Sequence, residues 1–253
     1  MENSASDYYI RHLAGTSSTN DYAREQATAL WAAAGSCGIV AVQADAQTAG
    51  RGQRGNVWQS AAGENLLVSL MVRPTFLPVT SQFALSQAIA LAVRSAMSYI
   101  GVQVELKWPN DIYVDGKKLA GILVELFYSG PGIESAIIGV GLNVNQTAFE
   151  PMDKVPVSLK MLQGTTFSVN EVLGALLDAF SYYYSALQRG EYSLLACDYK
   201  RCLMGHGKVM RYRCGETFFD ARLVDVLGTG HIVLERADGT TAQYAFKEVE
   251  LVM

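Results

Sequence analysis

Apolar residues recur at helical spacing over 81–100, where Leu85, Ile89, Ala92, Val93, Ala96 and Ile100 share one face and Gly101 supplies the stop. The pattern predicts a helix whose face is buried in a core. The same period over 168–188, capped near Ser168 or Asn170 and stopped at Gly190, predicts a longer helix, and a short one follows over 192–203. Thr19 or Asn20 can cap a further helix that runs to about Ala34 and ends at Gly35. Between these segments the period shortens. Residues 38–46, 64–73, 104–108, 111–114, 119–128 and 133–144 read as strands. Pro109 forces the break between the third and fourth of them. Asp115-Gly116 is a two-residue hairpin turn, and Ser129-Gly130-Pro131-Gly132 turns the chain again. Consecutive hairpins imply an α+β fold with a mixed, mainly antiparallel sheet rather than a doubly wound one. From Gly205 the character changes. Short strand-like runs (207–213, 217–226, 231–235, 241–246, 249–253) alternate with Gly215, Gly228, Gly230 and Asp238-Gly239. This divides the chain into a first domain over 1–204 and a small barrel-like β domain over 205–253.

Composition narrows the classes. Half of the 253 residues are hydrophobic and 17% are charged, enough for a sizeable core, and the net charge of −4 argues against a general nucleic-acid binder. No apolar stretch reaches the ~20 residues of a membrane span. Met1-Glu2-Asn3-Ser4 lacks the start of a signal peptide. Cys37, Cys197, Cys202 and Cys214 form no Cys-x-x-Cys pair and read as reduced thiols of a cytoplasmic protein. His12, His206 and His231 are too scattered to suggest a metal site.

Four segments carry candidate chemistry. Gly50-Arg51-Gly52-Gln53-Arg54-Gly55, closed by Trp58, alternates glycine with cation and amide. Such a loop lets backbone N–H groups and guanidinium forks surround an anion, although glycine-rich surface turns are also common. Lys107-Trp108-Pro109-Asn110-Asp111 sets an ammonium at a hairpin mouth, aimed at an anion or snorkelling from an edge strand. Gly139-Val140-Gly141-Leu142-Asn143 puts two glycines in a strand, where a ligand can lie on the sheet or a helix can pack closely. Ser17-Ser18-Thr19-Asn20 suits a helix cap, and a cap already presents donors to a ligand.

Taken together, these segments resemble the biotin protein ligase family. The residues that carry the resemblance are Ser18-Thr19-Asn20, Gln47, Gly50 to Gly55, Trp58, Lys107 to Asp111, Gly116-Lys117-Lys118-Leu119-Ala120-Gly121-Ile122-Leu123-Val124-Glu125 and Gly139 to Asn143. They occur in family order over Ser17 to about Gly164. The resemblance implies a class II synthetase-like catalytic domain with a small SH3-like C-terminal barrel. Bifunctional members carry an N-terminal DNA-binding domain. Only seventeen residues precede Ser18 here, so a monofunctional ligase is expected.

The resemblance further implies that biotin and ATP are converted to biotinyl-5′-AMP and pyrophosphate, with Mg²⁺ as the accompanying ion. Biotin then passes to one lysine of a biotin carboxyl carrier protein. Lys107 and Arg51 are the implied catalytic cations. The implied biotin contacts are Ser18, Thr19, Asn20, Gln47, Gly50, Arg51, Gly52, Gln53, Lys107, Gly121 and Gly141. Those for ATP are Arg51, Arg54, Trp58, Lys107, Asn110, Lys118 and Asn143. Metal ligands are not identified, and Asp111 is the one candidate base for the transfer. Lys117 is expected to face solvent, because neighbouring strand residues point to opposite faces. Gln53 stands where some members carry arginine, and the loop is expected to order on biotin. No nucleic-acid or membrane partner is expected, and a homodimer is left open. Two alternatives remain: a lipoate or octanoate ligase or transferase of the same fold, which needs a long apolar slot, and a non-catalytic biotin-sensing protein.

Overall fold

The computed structural model describes residues 7–151 and 154–252, with the side chain of Arg54 outside the described set. A large sheet is built from β1 (Tyr8–Leu13), β2 (Ile39–Ala44), β3 (Leu66–Val72), β4 (Glu105–Lys107), β5 (Asp111–Val114), β6 (Lys117–Ser129) and β7 (Gly132–Leu142). Their spatial order is β1-β2-β3-β7-β6-β5-β4. Only the β1–β2 pair is parallel, so the sheet is mixed and mainly antiparallel, as the hairpin pattern predicts. Asp115 and Gly116 both have positive φ (48° and 73°), the geometry that a two-residue hairpin with native twist requires.

Both faces of this sheet are covered, and the side chains of β3 divide between them. Leu66, Val68, Leu70 and Val72 join a core with α3 (Phe83–Tyr99) and α5 (Val169–Gln188). Met71 faces the other way and packs with Ala23, Leu30 and Ala34 of α1 (Thr19–Glu25) and α2 (Ala27–Ala34). All seven residues of β3 are therefore buried, not one face of it.

The expected helix over 19–34 is two helices, broken at Gln26 (φ −100°, ψ 13°). Its cap is Ser18 rather than Thr19 or Asn20, whose side chains are buried and bonded to the sheet side. The pattern also passed over β1, half of which is exposed, and the one-and-a-half-turn α4 (Leu159–Gln163), which Ser158 caps.

A second sheet follows α6 (Tyr192–Arg201). It contains β8 (Val209–Cys214), β9 (Thr217–Val226), β10 (Ile232–Glu235), β11 (Thr241–Tyr244) and β12 (Glu250–Leu251), in the order β11-β10-β9-β8-β12 and antiparallel throughout. Tyr212, Leu223, Ile232, Leu234 and Val249 of this region belong to the same apolar cluster as the large sheet's core. Three backbone hydrogen bonds and one side-chain bond tie the region after α6 to the large sheet and α3. Leu106 N–H donates to Cys202 O (2.9 Å), Met204 N–H donates to Leu106 O (2.8 Å), Phe83 N–H donates to Gly228 O (3.0 Å), and the Trp108 indole N–H donates to Gly230 O (2.9 Å). Trp108 also meets Phe246 edge-on, with ring centroids 6.0 Å apart. No helix among the described residues is long and apolar enough to cross a membrane.

Candidate functional site

A cavity of about 610 Å³ opens between the hairpin mouth of the large sheet, the glycine loop and the second sheet. Its wall takes in Ser18, Thr19, Asn20, Gln47, Arg51, Gly52, Gln53, Trp58, Lys107, Asn110, Lys118, Gly121 and Gly141, which are thirteen of the residues expected from the sequence.

One wall is a buried polar row on α1 and β3. The chain after β2 runs parallel to residues 16–17, with Thr48 N–H donating to Thr16 O (3.0 Å) and Ala49 N–H to Ser17 O (2.8 Å), and this brings Gln47 against Thr19. Gln47 Oε1 accepts from both the backbone N–H (2.7 Å) and the hydroxyl (3.1 Å) of Thr19. A backbone N–H can only donate, so the Gln47 oxygen is committed and its NH₂ group is what remains for a ligand. Ser69, fully buried on β3, donates its one proton to Asn20 Oδ1, which can only accept, and its Oγ lies 2.7 Å from Thr19 Oγ1. Asn20 Nδ2 in turn donates to Glu125 Oε2 (2.6 Å). Gly139 makes room for Asn20, since a Cβ there would lie 2.6 Å from its Oδ1.

The glycine loop is a miniature hairpin. Trp58 N–H donates to Gly50 O (2.9 Å), Gly52 N–H donates to Asn56 O (2.7 Å), and a 3₁₀ turn at Gln53–Gly55 forms the tip. With Asn56 N–H donating to Gln53 O (3.3 Å), three N–H groups between Gly50 and Trp58 are thus spent on the loop's own backbone. Of its three glycines only Gly55 has positive φ (85°). Gly50 is needed for closeness instead, because a Cβ would sit 2.5 Å from Trp58 O. Gly50 itself does not line the cavity. The Trp58 ring rests on the paired Gly121 and Gly141, where a Cβ would approach it to 3.1 Å and 2.4 Å. The indole N–H of Trp58 and Oε1 of Gln53 are buried without a hydrogen-bond partner. Arg51 does not point freely at the cavity centre. Its guanidinium bonds Asp21 (2.8 Å) and Glu125 (3.3 Å).

Cations outnumber acids around the cavity. Arg51, Lys107, Lys118, Lys154, Arg213 and Lys247 line the cavity against only Asp111 and Glu250, although the whole chain is acidic. Lys107 Nζ lies 5.2 Å from the centre of the Tyr113 ring. Burial lowers its pKa, the charge of Lys154 lowers it further, and Asp111 and Glu250 work the other way. Asp111 accepts from Lys118 at Oδ1 (2.6 Å) and from Lys154 at Oδ2 (2.7 Å). Burial alone would raise its carboxyl, but the two ammonium groups outweigh burial and hold it below the ordinary value. A carboxylate so held, with both oxygens taken, is a poor proton acceptor, and this removes the one candidate base. Lys117 is exposed, as strand alternation predicts.

Asn143 does not line the cavity. Its buried amide donates to Val157 O (3.1 Å) and its backbone joins Leu119 and Leu159, so it ties the 157–159 segment to the sheet. Asn110 reaches the cavity while its amide donates to Ile122 O (2.7 Å). The expectation for the Arg54 side chain lies outside the described residues. Sequence reasoning missed Ser69, Lys154, Arg213 and Lys247. None stands in a motif, and the last two arrive from the C-terminal region, Arg213 on β8 and Lys247 in the turn between β11 and β12. No group of three or more His, Cys, Asp or Glu able to hold a metal occurs among the described residues. Of the cavity's carboxylates, Asp111 is taken by two lysines and Glu250 by Arg213 (2.7 Å). The residues present do not fit a protein-held Mg²⁺.

Fold and site together define a two-sheet α+β protein whose cavity combines a buried polar row with an excess of cations, suited to a small polar ligand joined to a phosphate. Residues 14–143 match the model of the Biotin/lipoate A/B protein ligase family, and the chain belongs to that family. It is 32% identical over 214 residues to the Bifunctional ligase/repressor BirA of Bacillus spizizenii, covering 83% of this chain and 65% of that protein. The chain thus spans somewhat less than two thirds of that relative's length. It is 36% identical over 186 residues to the Biotin–[acetyl-CoA-carboxylase] ligase of Paracoccus denitrificans, covering 69% and 72% of the two chains. Among solved structures, the biotin protein ligase from Aquifex aeolicus in complex with biotin and ATP superposes with a TM-score of 0.76 at 25% identity, over 96% of this chain and 98% of that one.

Proposed function

We propose that this protein activates biotin with ATP as biotinyl-5′-AMP and transfers it to a lysine of a biotin carboxyl carrier protein. The observation that carries the reading is the cavity itself. A Gln47 amide with its NH₂ group left to donate shares one cavity with a crowd of cations, in a chain whose net charge is −4. The relative from Paracoccus denitrificans named for biotin ligation and the Aquifex aeolicus structure with biotin and ATP support it.

In the first step a carboxylate oxygen attacks the α-phosphate and pyrophosphate leaves. The two anions repel, and positive charge fixed where charge develops lowers that barrier by about 3 kcal/mol per well-placed donor. Lys107, a half-buried ammonium lining the cavity, is assigned to this role. Arg51 serves at the same junction, positioned by Asp21 and Glu125. The Gln47 NH₂ group fits the single carbonyl of a ureido ring. Trp58 gives the nucleotide or the ring an aromatic face above Gly121 and Gly141. In the second step the amine of the carrier lysine attacks the mixed anhydride carbonyl. A C–N bond forms, the C–O bond to phosphate breaks, AMP leaves and the amine loses a proton. Asp111 does not serve as base, so the amine arrives deprotonated or gives its proton to water. Mg²⁺ would enter with the nucleotide, bound mainly by phosphates and water.

The same reading divides the chain into a catalytic unit over 1–204 and a small SH3-like unit over 205–253, and it places the protein in the cytoplasm. Sedimentation velocity would decide between monomer and homodimer. The function is tested by ATP–pyrophosphate exchange with biotin against lipoate, followed by transfer to a carrier domain. Absence of biotin-dependent exchange would end the reading, and exchange with lipoate alone would replace it.

A further inference from the structure

Lys154 stands outside the matched residues 14–143 and in no motif, yet the backbone delivers it to the cavity. Lys118 N–H donates to Val155 O (2.8 Å) and Val157 N–H donates to Lys118 O (2.9 Å), a parallel bridge beside the start of β6. This docking sets Lys154 Nζ on one oxygen of Asp111 while Lys118 holds the other. The trio carries a net positive charge. Each ammonium spends one N–H on Asp111 and keeps the others. The two differ in depth: the Lys118 side chain is 20% exposed and that of Lys154 is 49% exposed.

Resting on the ligase reading above, we propose that Lys154 binds the β- and γ-phosphates of ATP at the rim of the cavity and, with Lys118, holds pyrophosphate as it leaves. The outer phosphates are the most charged and most hydrated part of the nucleotide, so a cation at the rim suits them. Lys107 and Arg51, also on the cavity wall, are assigned to the α-phosphate junction in the ligase reading. The arrangement also carries a strain that an anion relieves. Lys154 disfavours the charged form of Lys107, which is tolerable when phosphate oxygens lie between them. Asp111 acts here as the post that spaces two lysines.

Calorimetric titration of the full chain with ATP, AMP and inorganic pyrophosphate, for wild type and Lys154→Met, tests this. Charged hydrogen bonds of this kind imply a loss of about tenfold in affinity for ATP and pyrophosphate in the variant. AMP affinity should stay within about twofold, and Lys154→Arg should recover most of the loss, because it keeps the charge. Unchanged ATP affinity in Lys154→Met, or equal losses for AMP and ATP, overturns the assignment. Wild-type protein that binds no ATP defeats the ligase reading itself, a result distinct from failure of Lys154 alone.

Discussion

The indole of Trp58 lies directly on Gly141, so closely that a Cβ at that position would come within 2.4 Å of Cε2 and 2.7 Å of Nε1. The glycine in β7 and the aromatic closing the glycine loop are therefore one device, although 83 positions separate them in the sequence. Gly141→Ala should push the ring off the sheet. Overpacking of this kind costs about 1–3 kcal/mol, read from the urea midpoint. It should also weaken ligand binding, measured by titration with biotin and ATP. A variant with unchanged midpoint and affinity would mean that the loop yields freely.

Lys107→Ala should reduce biotin-dependent pyrophosphate exchange by at least about a hundredfold while the circular dichroism spectrum is retained. Near wild-type exchange would take Lys107 out of the mechanism.

The same lysine sets a pH dependence. Burial and the neighbouring Lys154 lower its pKa in the folded protein, so its charge is lost at lower pH than that of an ordinary lysine. Exchange activity should fall as pH rises through that lowered value. Removing the Lys154 charge should move the fall to higher pH. An identical profile in Lys154→Met would contradict the coupling.

How much of this site was legible in the sequence depends on the distance over which each contact forms. Hairpins declare themselves locally, and Asp115-Gly116 has the predicted turn geometry. Lys118 facing inward and Lys117 outward follow from a period of two. Pairings across the sheet leave no such mark. Nothing local ties Ser69 to Asn20, or Arg51 to Asp21 and Glu125. The Val157 bond of Asn143 is equally unmarked, because an asparagine ending a strand looks the same whether its amide meets a ligand or a carbonyl of its own chain. Lys154 depends on a bridge between two chain segments that only the folded sheet brings together.

Asp111→Asn should be strongly destabilising, because it leaves Lys118 partly buried without its counter-charge. The expected cost is about 3–5 kcal/mol by denaturant unfolding. The wild-type carboxyl titrates below its usual 3.8 in the folded state. Its contribution is therefore complete above that value and is lost as pH falls through the lower folded-state value. Acid unfolding of the wild type should show this loss and the variant should lack it, which a pH titration of stability would check.

Trp108→Phe keeps an aromatic ring against Phe246 but removes the N–H that Gly230 O accepts. The carbonyl left behind should cost about 1–3 kcal/mol. Hydrogen exchange should quicken around 228–232 before it does so in α3 or α5. Uniform protection would mean that the apolar cluster alone holds the sheets together.

One margin of the large sheet is closed by its own chain. Leu106 in β4 gives and receives backbone hydrogen bonds with 202–204, so the strand at that end is flanked on both sides. The opposite margin, β1, pairs only with β2 among the described residues. An unpaired strand edge invites addition of foreign strands, and charged side chains discourage it. Arg11 and His12 are both exposed there. The two ends of the sheet thus guard against aggregation by different means, one with a covering segment and the other with side chains that substitution can remove.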